Sequence, residues 1–514
     1  MSLAAAERAR TTADAMAVVD DRQELSWAAL DPILNRGTNA LLAFPFAPTR
    51  RIAVFAHNAV DTLLAYLCGL HAGVSSVPAN FHLTPPELAY ILKDSDAEIL
   101  FVGPETAAVG LAAAKEAGVA KVVGWRCPPT EGLQSWDDWL ASASADEPPT
   151  DMPPKPYLHY TSGTTGRPKG TETPPNMLPQ ADDVAGLFAA LRQAVEEGAS
   201  GAGVVVGPLY HTGPLGAARQ LGGGKPQVVL SRFDAEALLA AIDRWKIGTS
   251  VMVPTHFQRL LALPEEVRGR YDVSSLTMIA HTGAACPPEV KRAMIAWFGP
   301  VLSEAYGGTE SGTTNLITSE EWLAKPGSVG KAVPPFEVVV IAEDGTRLGI
   351  GEAGQLYFRD TNGRGVIYHK DPEKTASVHI EPGVFTLGDV GYVDADGYVF
   401  ITDRVSDMIV SGGVNIYPAE IEQVLIEHPD IEDVAVIGVP NKDMGEEVKA
   451  LVVLRNGHRP AAADLAGFCR ERLAGYKCPR TYDFVPDVGR NAMGKVNKRQ
   501  LRKPYWPSDR TIGG

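Results

Sequence analysis

The chain is predicted to be an α/β protein, with a large N-terminal body of more than one subdomain and a small C-terminal α+β domain. Three observations point there. Short apolar runs alternate with helix-like stretches through the first part of the chain, the pattern of a layered sheet. From Glu337 the texture changes to short strands punctuated by turns. After Asp403 comes a compact region of roughly a hundred residues, the size of a small domain. At 514 residues the chain is also too long for one ordinary core.

Taken in order, Ile52–Phe55 and Ile99–Val102 read as strands, with Val60–Leu70 and Pro86–Leu92 as helices between them. A Pro-rich stretch, Glu147–Pro156, leads into the most Gly/Thr-rich segment of the chain. Val204–Val206, Val228–Leu230 and Ser250–Val253 read as buried strands, and Ala235–Arg244 as a helix. Val338–Ile341, the turn Asp344-Gly345, Gln355–Phe358 and the turn Asp396-Gly397 read as β-hairpins. In the last region Glu420–Glu427 and Ala462–Leu473 read as helices, Val434–Gly438 and Val448–Leu454 as strands. The expected division is 1–403 and 404–514.

The net charge of −15 argues against a nucleic-acid partner, which needs a basic footprint. Cations do gather near the end, at Arg470, Arg472, Lys477, Arg480, Lys495, Lys498, Arg499, Arg502 and Lys503. They form either a solvated surface or a phosphate-facing patch. The five cysteines make no CxxC pair and no Cys/His cluster, so they read as reduced and structural. No apolar run reaches the length of a membrane span. The segment Met1–Ala17 lacks the apolar core of a signal peptide, so a cytoplasmic location is expected.

The chemistry is carried by a few strings. Tyr160-Thr161-Ser162-Gly163-Thr164-Thr165-Gly166-Arg167-Pro168-Lys169-Gly170 packs glycines, hydroxyls and a lysine into one loop. Glycines permit tight turns, hydroxyls and exposed N–H groups bind phosphate oxygens, and lysine adds charge. It is not a P-loop, because no GxxxxGK[ST] occurs there. In Tyr306-Gly307-Gly308-Thr309-Glu310 a lone carboxylate sits among hydroxyls, which suits Mg²⁺ and its preference for oxygen ligands and water. Gly283-Ala284-Ala285 offers small residues against which a flat ring can lie.

These strings resemble the signatures of the adenylate-forming superfamily, which includes acyl-CoA synthetases, nonribosomal peptide adenylation domains and beetle luciferases. The resemblance runs in the family's order from about Glu24 to Leu501. It implies that Thr161, Ser162, Gly163, Thr164, Thr165, Gly166 and Lys169 hold the ATP phosphates, and that Gly283, Ala284 and Ala285 line the adenine. Tyr306 would stack on adenine beside Gly308, Thr309 would touch the α-phosphate, and Glu310 would hold Mg²⁺. Asp389, in Gly388-Asp389, would accept from the ribose hydroxyls, and Arg404 would contact the nucleotide. Asp394 and Asp396 lack the remaining ligands of a calcium loop and read as turn formers. Ser411-Gly412-Gly413 resembles the CoA-facing segment, and Lys495, in Asn491-Ala492-Met493-Gly494-Lys495, the catalytic lysine of adenylation. His211, in Pro208-Leu209-Tyr210-His211-Thr212-Gly213, matches the gate between acyl pocket and thiol tunnel. The family rotates a mobile C-terminal domain between two half-reactions, and Ser406 falls at the hinge.

The chain departs from the family's pattern at four places. Thr171-Glu172-Thr173-Pro174-Pro175-Asn176 replaces an apolar run with a His or Asn cluster. A tryptophan is missing from Gly383–Asp389, the hinge residue is Ser406 rather than Asp or Lys, and Gly489-Arg490 stands where Pro-Arg is usual. None of these removes a residue with a chemical role. The resemblance therefore implies a Mg-ATP-dependent ligase joining a carboxylic acid to coenzyme A. A separate carrier protein as acceptor and a non-catalytic nucleotide-binding relative are the alternatives. Phe385–Tyr392 and Gly413-Val414-Asn415 look most like ligases for bulky acids, so a large apolar acid (fatty, steroid-like or terpenoid) is expected. The sequence also leaves room for a homodimer.

Overall fold

The structure, a computed structural model, describes residues 4–161, 168–284, 286, 288–342, 344–404, 409–416, 418–455, 457–489, 496 and 498–506. The first subdomain is a five-stranded parallel sheet ordered Ser75–Pro78, Arg51–Phe55, Ile99–Val102, Lys121–Gly124 and Leu133–Ser135. Its central strands are buried along their whole length, as both-face burial in a parallel sheet requires. The helix Val60–His71 is likewise buried on every side. The helix Pro85–Ser95 starts where sequence dictates. In Thr84-Pro85-Pro86-Glu87 the Glu87 carboxylate accepts from the Thr84 N–H at 2.8 Å, a capping box followed by proline at the first helical position.

The site is positioned by a larger mixed sheet. Its parallel strands Gln227–Val229, Ala202–Val205, Ile247–Met252, Met278–His281 and Leu302–Gly308 lie side by side. Antiparallel strands then extend it through Gly312–Thr318, Ser328–Ala332, Val399–Arg404, Val384–Val393, Gly354–Asp360 and Phe336–Ile341. The helix Ala235–Trp245 packs beside the parallel part, started by the Asp234 carboxylate accepting from Ala237 N–H at 2.8 Å. In the last region Val414–Ile416, Ile409–Ser411, Gly445–Leu454 and Ile431–Asn441 pair antiparallel, and Thr481–Phe484 joins Gly445–Leu454 in parallel. The helices Pro418–Ile426 and Ala462–Arg470 contribute to one core with it through Ile421, Leu425, Leu465 and Cys469.

One expected hairpin differs in detail. Phe336–Ile341 and Gly354–Asp360 do pair antiparallel, but the turn at Asp344-Gly345 does not join them directly. It closes only an isolated bridge between Ile341 and Arg347, and the chain then wanders on to residue 354. Turn residues mark a reversal locally, and do not say how far the returning strand continues. The Asp394–Gly397 turn is as expected: Asp394 accepts from the N–H of Asp396 and of Tyr398, and Lys325 binds both carboxylates at 2.7 and 2.5 Å. The five cysteines are all free, four of them buried. Among the described residues no helix is long and apolar enough to cross a membrane.

Candidate active site

Of the expected site residues, Gly283 and Thr309-Glu310 follow the carboxyl ends of the parallel strands Met278–His281 and Leu302–Gly308, where open α/β sheets bind ligands. Leu302–Gly308 returns through a tight hairpin to Gly312–Thr318, so Thr309 and Glu310 stand at its tip. Gly307 lies so close to the returning strand that a Cβ would meet the Gly312 carbonyl oxygen at 2.0 Å, so no side chain fits there. From a strand four places along the sheet, Asp389 is buried and accepts a hydrogen bond from the Tyr306 hydroxyl at 2.5 Å. Asp389 also stands opposite Arg404 in the pairing of Val384–Val393 with Val399–Arg404. Strand pairing sets Asp389 beside the Arg404 backbone, and the Tyr306 hydroxyl reaches it by a side-chain hydrogen bond.

Glu310 is half-buried, and burial pushes its carboxyl above the usual range. The Tyr368 hydroxyl donates to it at 3.4 Å, and Lys374 lies near enough to oppose the shift. A desolvated carboxylate of this kind is stabilised by a cation. No cluster of three or more His, Cys, Asp or Glu ligands exists among the described residues, so any metal here completes its shell with water and phosphate oxygens. That donor set fits Mg²⁺. Tyr368 and Lys374 were not anticipated from sequence. Their one signal is Asp371-Pro372, an N-cap and proline that begin the helix Pro372–Ser377.

The Gly/Thr loop connects two antiparallel strands, Leu158–Thr161 and Lys169–Glu172, in which Thr161 pairs with Lys169. Ser162, Gly163, Thr164, Thr165 and Gly166 lie outside the described residues. Lys169 is held by the Asp371 carboxylate at 2.5 Å, which with the Lys374 N–H keeps that carboxyl below its usual range. The unusual segment 171–176 packs back onto the hairpin strand: Asn176 donates to the Thr313 carbonyl at 3.2 Å.

Gly283 takes a positive φ of 86°, and its Cβ position is 3.7 Å from Val253. Ala284 follows it, and Ala285 lies outside the described residues. The Cβ position of Gly413 approaches the same side chain, 3.4 Å from Cγ2 and 3.5 Å from Cγ1 of Val253. Gly412 and Gly413 form a two-residue hairpin turn between Ser411 and Val414, with φ of 58° and 80°. Such a turn needs two residues that accept positive φ, which explains the glycine pair locally. The C-terminal turn therefore meets the loop expected to hold adenine. Ser406 and Lys495 lie outside the described residues, as does the side chain of Arg404.

His211 caps the helix Thr212–Gly222 beside the Tyr210 ring, 4.3 Å between centroids. It is half-buried, and burial pushes its imidazole down to about 4, so it is neutral at pH 7. An aromatic wall continues from it: Tyr210 meets Phe81, Phe81 stacks on His57, and His82 approaches Tyr476 of the C-terminal region. Four of the nine C-terminal cations are claimed by carboxylates. Lys477 binds Glu87 and Glu420, Lys498 binds Glu422, Arg502 binds Glu446, and Arg472 binds Glu471. For these four, structural pairing replaces the phosphate-facing alternative.

Residues 5–365 match the family described as AMP-binding enzyme, and residues 420–495 match the AMP-binding enzyme C-terminal domain. The chain is 35% identical to a feruloyl-CoA synthase from Amycolatopsis sp, covering 97% of both chains. It is 32% identical to an indoleacetate–CoA ligase from Aromatoleum aromaticum, covering 94% of this chain and 93% of that one. Among solved structures, an amide bond synthetase from Marinactinospora thermotolerans superimposes with a TM-score of 0.82 at 27% identity, over 98% of this chain and 100% of that one. The o-succinylbenzoate CoA synthetase of Bacillus subtilis, 26% identical, matches at 0.79 as a double mutant bound to a CoA product analogue, over 98% of both chains. The same enzyme with its acyl-adenylate matches at 0.63, over 100% of this chain and 99% of that one. The chain belongs to the AMP-binding enzyme family: it is an adenylate-forming enzyme of the acid–thiol ligase kind.

Proposed function

We propose that this enzyme is an AMP-forming acyl-CoA ligase that activates a large, predominantly apolar carboxylic acid with Mg-ATP and passes the acyl group to coenzyme A. The observation that carries the reading is the meeting, at Val253, of the Gly283 loop and the Gly412-Gly413 turn, next to the site built by Tyr306, Asp389 and Glu310.

In the first half-reaction the substrate carboxylate attacks the α-phosphorus and pyrophosphate leaves. No enzyme nucleophile is needed, so the protein's task is to position two anions and neutralise developing charge. Tyr306 and Asp389 would orient adenosine, Arg404 would contact the nucleotide, and Thr309 the α-phosphate. Thr161, Lys169 and the Ser162–Gly166 loop would surround the phosphates, and Lys495 would steady the transition state. Bound through Glu310, Mg²⁺ supplies charge neutralisation on the phosphates. In the second half-reaction the CoA thiol displaces AMP, entering beside Ser411, Gly412 and Gly413 and past His211. Its neutral imidazole serves as a gate rather than a cation. Rotation about Ser406 would exchange Lys495 for the glycine turn.

The higher similarity to the CoA-analogue complex than to the acyl-adenylate complex of one enzyme supports reading this structure as the thioester-forming arrangement. Relatives that act on feruloyl and indoleacetyl groups, and the aromatic wall at the gate, support a bulky acid. The test is release of pyrophosphate and AMP across a panel of acids, with the acyl product identified after adding CoA, an acyl carrier protein or an amine. ADP and phosphate as products would sink the proposal. Acetate with the highest kcat/KM would sink the acid, and exclusive transfer to a carrier or an amine would sink CoA.

A further inference from the structure

The helix Thr212–Gly222 turns Leu215, Ala218 and Leu221 into the core. Its opposite face carries Thr212, Gly216 and Arg219, spaced as residues that share one side of a helix. All three are half-buried, so this face borders space that water can reach. A Cβ added at Gly216 would meet one group within 4 Å, the Arg219 guanidinium, at 3.5 Å. The absent side chain thus leaves an opening, and the cation stands beside it.

Arg219 lacks the partner such a group requires. Its Nη1 is buried and meets no hydrogen-bond partner among the described residues. Protein surrounds the side chain, and the titratable group that acts on it is the Tyr157 phenol rather than a carboxylate. The Tyr157 hydroxyl and the Thr212 hydroxyl are also buried and meet no hydrogen-bond partner among the described residues. His159 behind it is held neutral, by burial first and by the charge of Arg219 second. Guanidinium does not shed its proton in proteins, so neutralisation is closed to it. Buried charges are otherwise paired. Four other cations in this chain show the rule, each bound to a carboxylate: Lys291, Lys477, Lys498 and Arg502.

Among the described residues no carboxylate meets Arg219, which leaves the place beside it open to a ligand. Arg219 follows His211 by eight residues, which is about 12 Å along a helix. Long side chains on a helix lean toward its N-terminus, so the guanidinium reaches back toward Gly216 and the gate. A ligand whose reacting carboxylate lies at the gate would bring its far end to Arg219.

We propose that Arg219 is a specificity-determining residue that binds a second oxygen acceptor, best a carboxylate, at the end of the acid remote from the reacting carboxyl. This rests on the acyl-CoA ligase reading and refines it: the acid is apolar along its middle and polar at its tip. The plain sequence gives no sign of it, because one arginine in Gly216-Ala217-Ala218-Arg219-Gln220 looks like a surface residue of an ordinary helix.

The test compares dodecanedioate, the matching keto acid and dodecanoate in wild type, Arg219→Met and Arg219→Lys. Wild type is expected to prefer the diacid over dodecanoate by roughly ten- to a hundredfold in kcat/KM, the scale of a charged hydrogen bond, with the keto acid between. Arg219→Met should reverse that order at an unchanged or raised Tm, since an apolar residue replaces an unpaired charge. Arg219→Lys should restore part of the diacid preference. A wild-type preference for dodecanoate, or a Met variant that slows all three acids equally with a lowered Tm, would overturn the proposal and make Arg219 structural. If wild type activates none of the three acids, turnover does not rank them. Binding then decides: dodecanedioate must raise the Tm of wild type and not of Arg219→Met, and equal shifts overturn the proposal.

Discussion

Lys495 and Glu310 show how differently single residues can be read. Glu310 is a carboxylate in a hairpin tip whose chemistry follows from its own burial and from Tyr368 above it. The role of Lys495 comes from its place in Asn491–Lys495. Lys495→Ala is expected to lower the rate of adenylate formation by about a hundredfold or more, the usual scale for one preorganised charge-stabilising group. Thioester formation from supplied acyl-adenylate should survive much better, as rapid-quench assays of the separate halves would show. Equal losses in both halves would make Lys495 a structural residue. Lys169 illustrates the limit of residue-level reading: the lysine was legible, but its tie to Asp371, far along the chain, was not.

At the scale of elements, the Gly412-Gly413 hairpin, which the sequence reading did not anticipate as a turn, has a local cause. Two adjacent glycines between short strands specify a hairpin because both central residues need positive φ, and this is a local requirement. Gly412 and Gly413 nevertheless face different surroundings. A Cβ on Gly412 would meet the mobile end of Met444, at 2.4 Å, whereas one on Gly413 would face the branched side chain of Val253 at 3.4 Å. Gly412→Asn is therefore expected to be tolerated within about 1 kcal/mol, since Asn accepts positive φ. Gly413→Val should strain the turn and crowd the passage beside Val253, cutting thioester formation far more than adenylation. Stopped-flow pyrophosphate release and CoA consumption separate the two steps, and parallel losses would place the turn outside the thiol path.

Over the whole molecule, two consequences follow from burial. His71, His159, His256 and His281 are buried, and desolvation first of all pushes each down, His71 and His159 to about 3 and His256 to about 4. Their folded values lie below the unfolded 6.5, so the unfolded chain takes up the protons first. Stability is then fully present above pH 6.5 and falls as pH drops toward the folded values, by roughly 1.4 kcal/mol per histidine per pH unit. Denaturant melts between pH 7 and 4.5 should show this fall, and a flat profile would contradict the burial of neutral imidazoles.

The second consequence lies between the two parts of the molecule. Lys477 is almost fully buried, bound to Glu420 of its own region at 2.7 Å and to Glu87 of the N-terminal body at 2.9 Å, while Tyr476 accepts from Asn80. Burial works against its charge, but Tyr476 and the two carboxylates overcome that and raise it well above the usual lysine range. Removing Glu87 leaves the Lys477–Glu420 pair intact, so Glu87→Gln tests the contact without unfolding the C-terminal region. The variant should adenylate normally and transfer to CoA about tenfold more slowly or worse, on the scale of losing one partner of a buried charge pair. Unchanged transfer would show that the contact does not hold the thioester-forming arrangement.

What the sequence by itself determined is what short stretches specify. It indicated the alternation of strands and helices, the turn at Asp394–Gly397 and the strings Tyr306–Glu310 and Ser411–Gly413. From the ordered motifs came membership in the adenylate-forming family. Those depend on backbone geometry and periodicity within a few residues. Only the tertiary structure decided which charges are satisfied and by whom. Lys477 meets Glu87 across 390 positions, Lys169 meets Asp371 across 202, and Tyr306 meets Asp389 across 83. Arg219 meets no carboxylate among the described residues. The physical reason is that a charge is the same letter whether paired, solvated or waiting for a ligand. Its free energy is set by burial and by neighbours that only folding brings within reach.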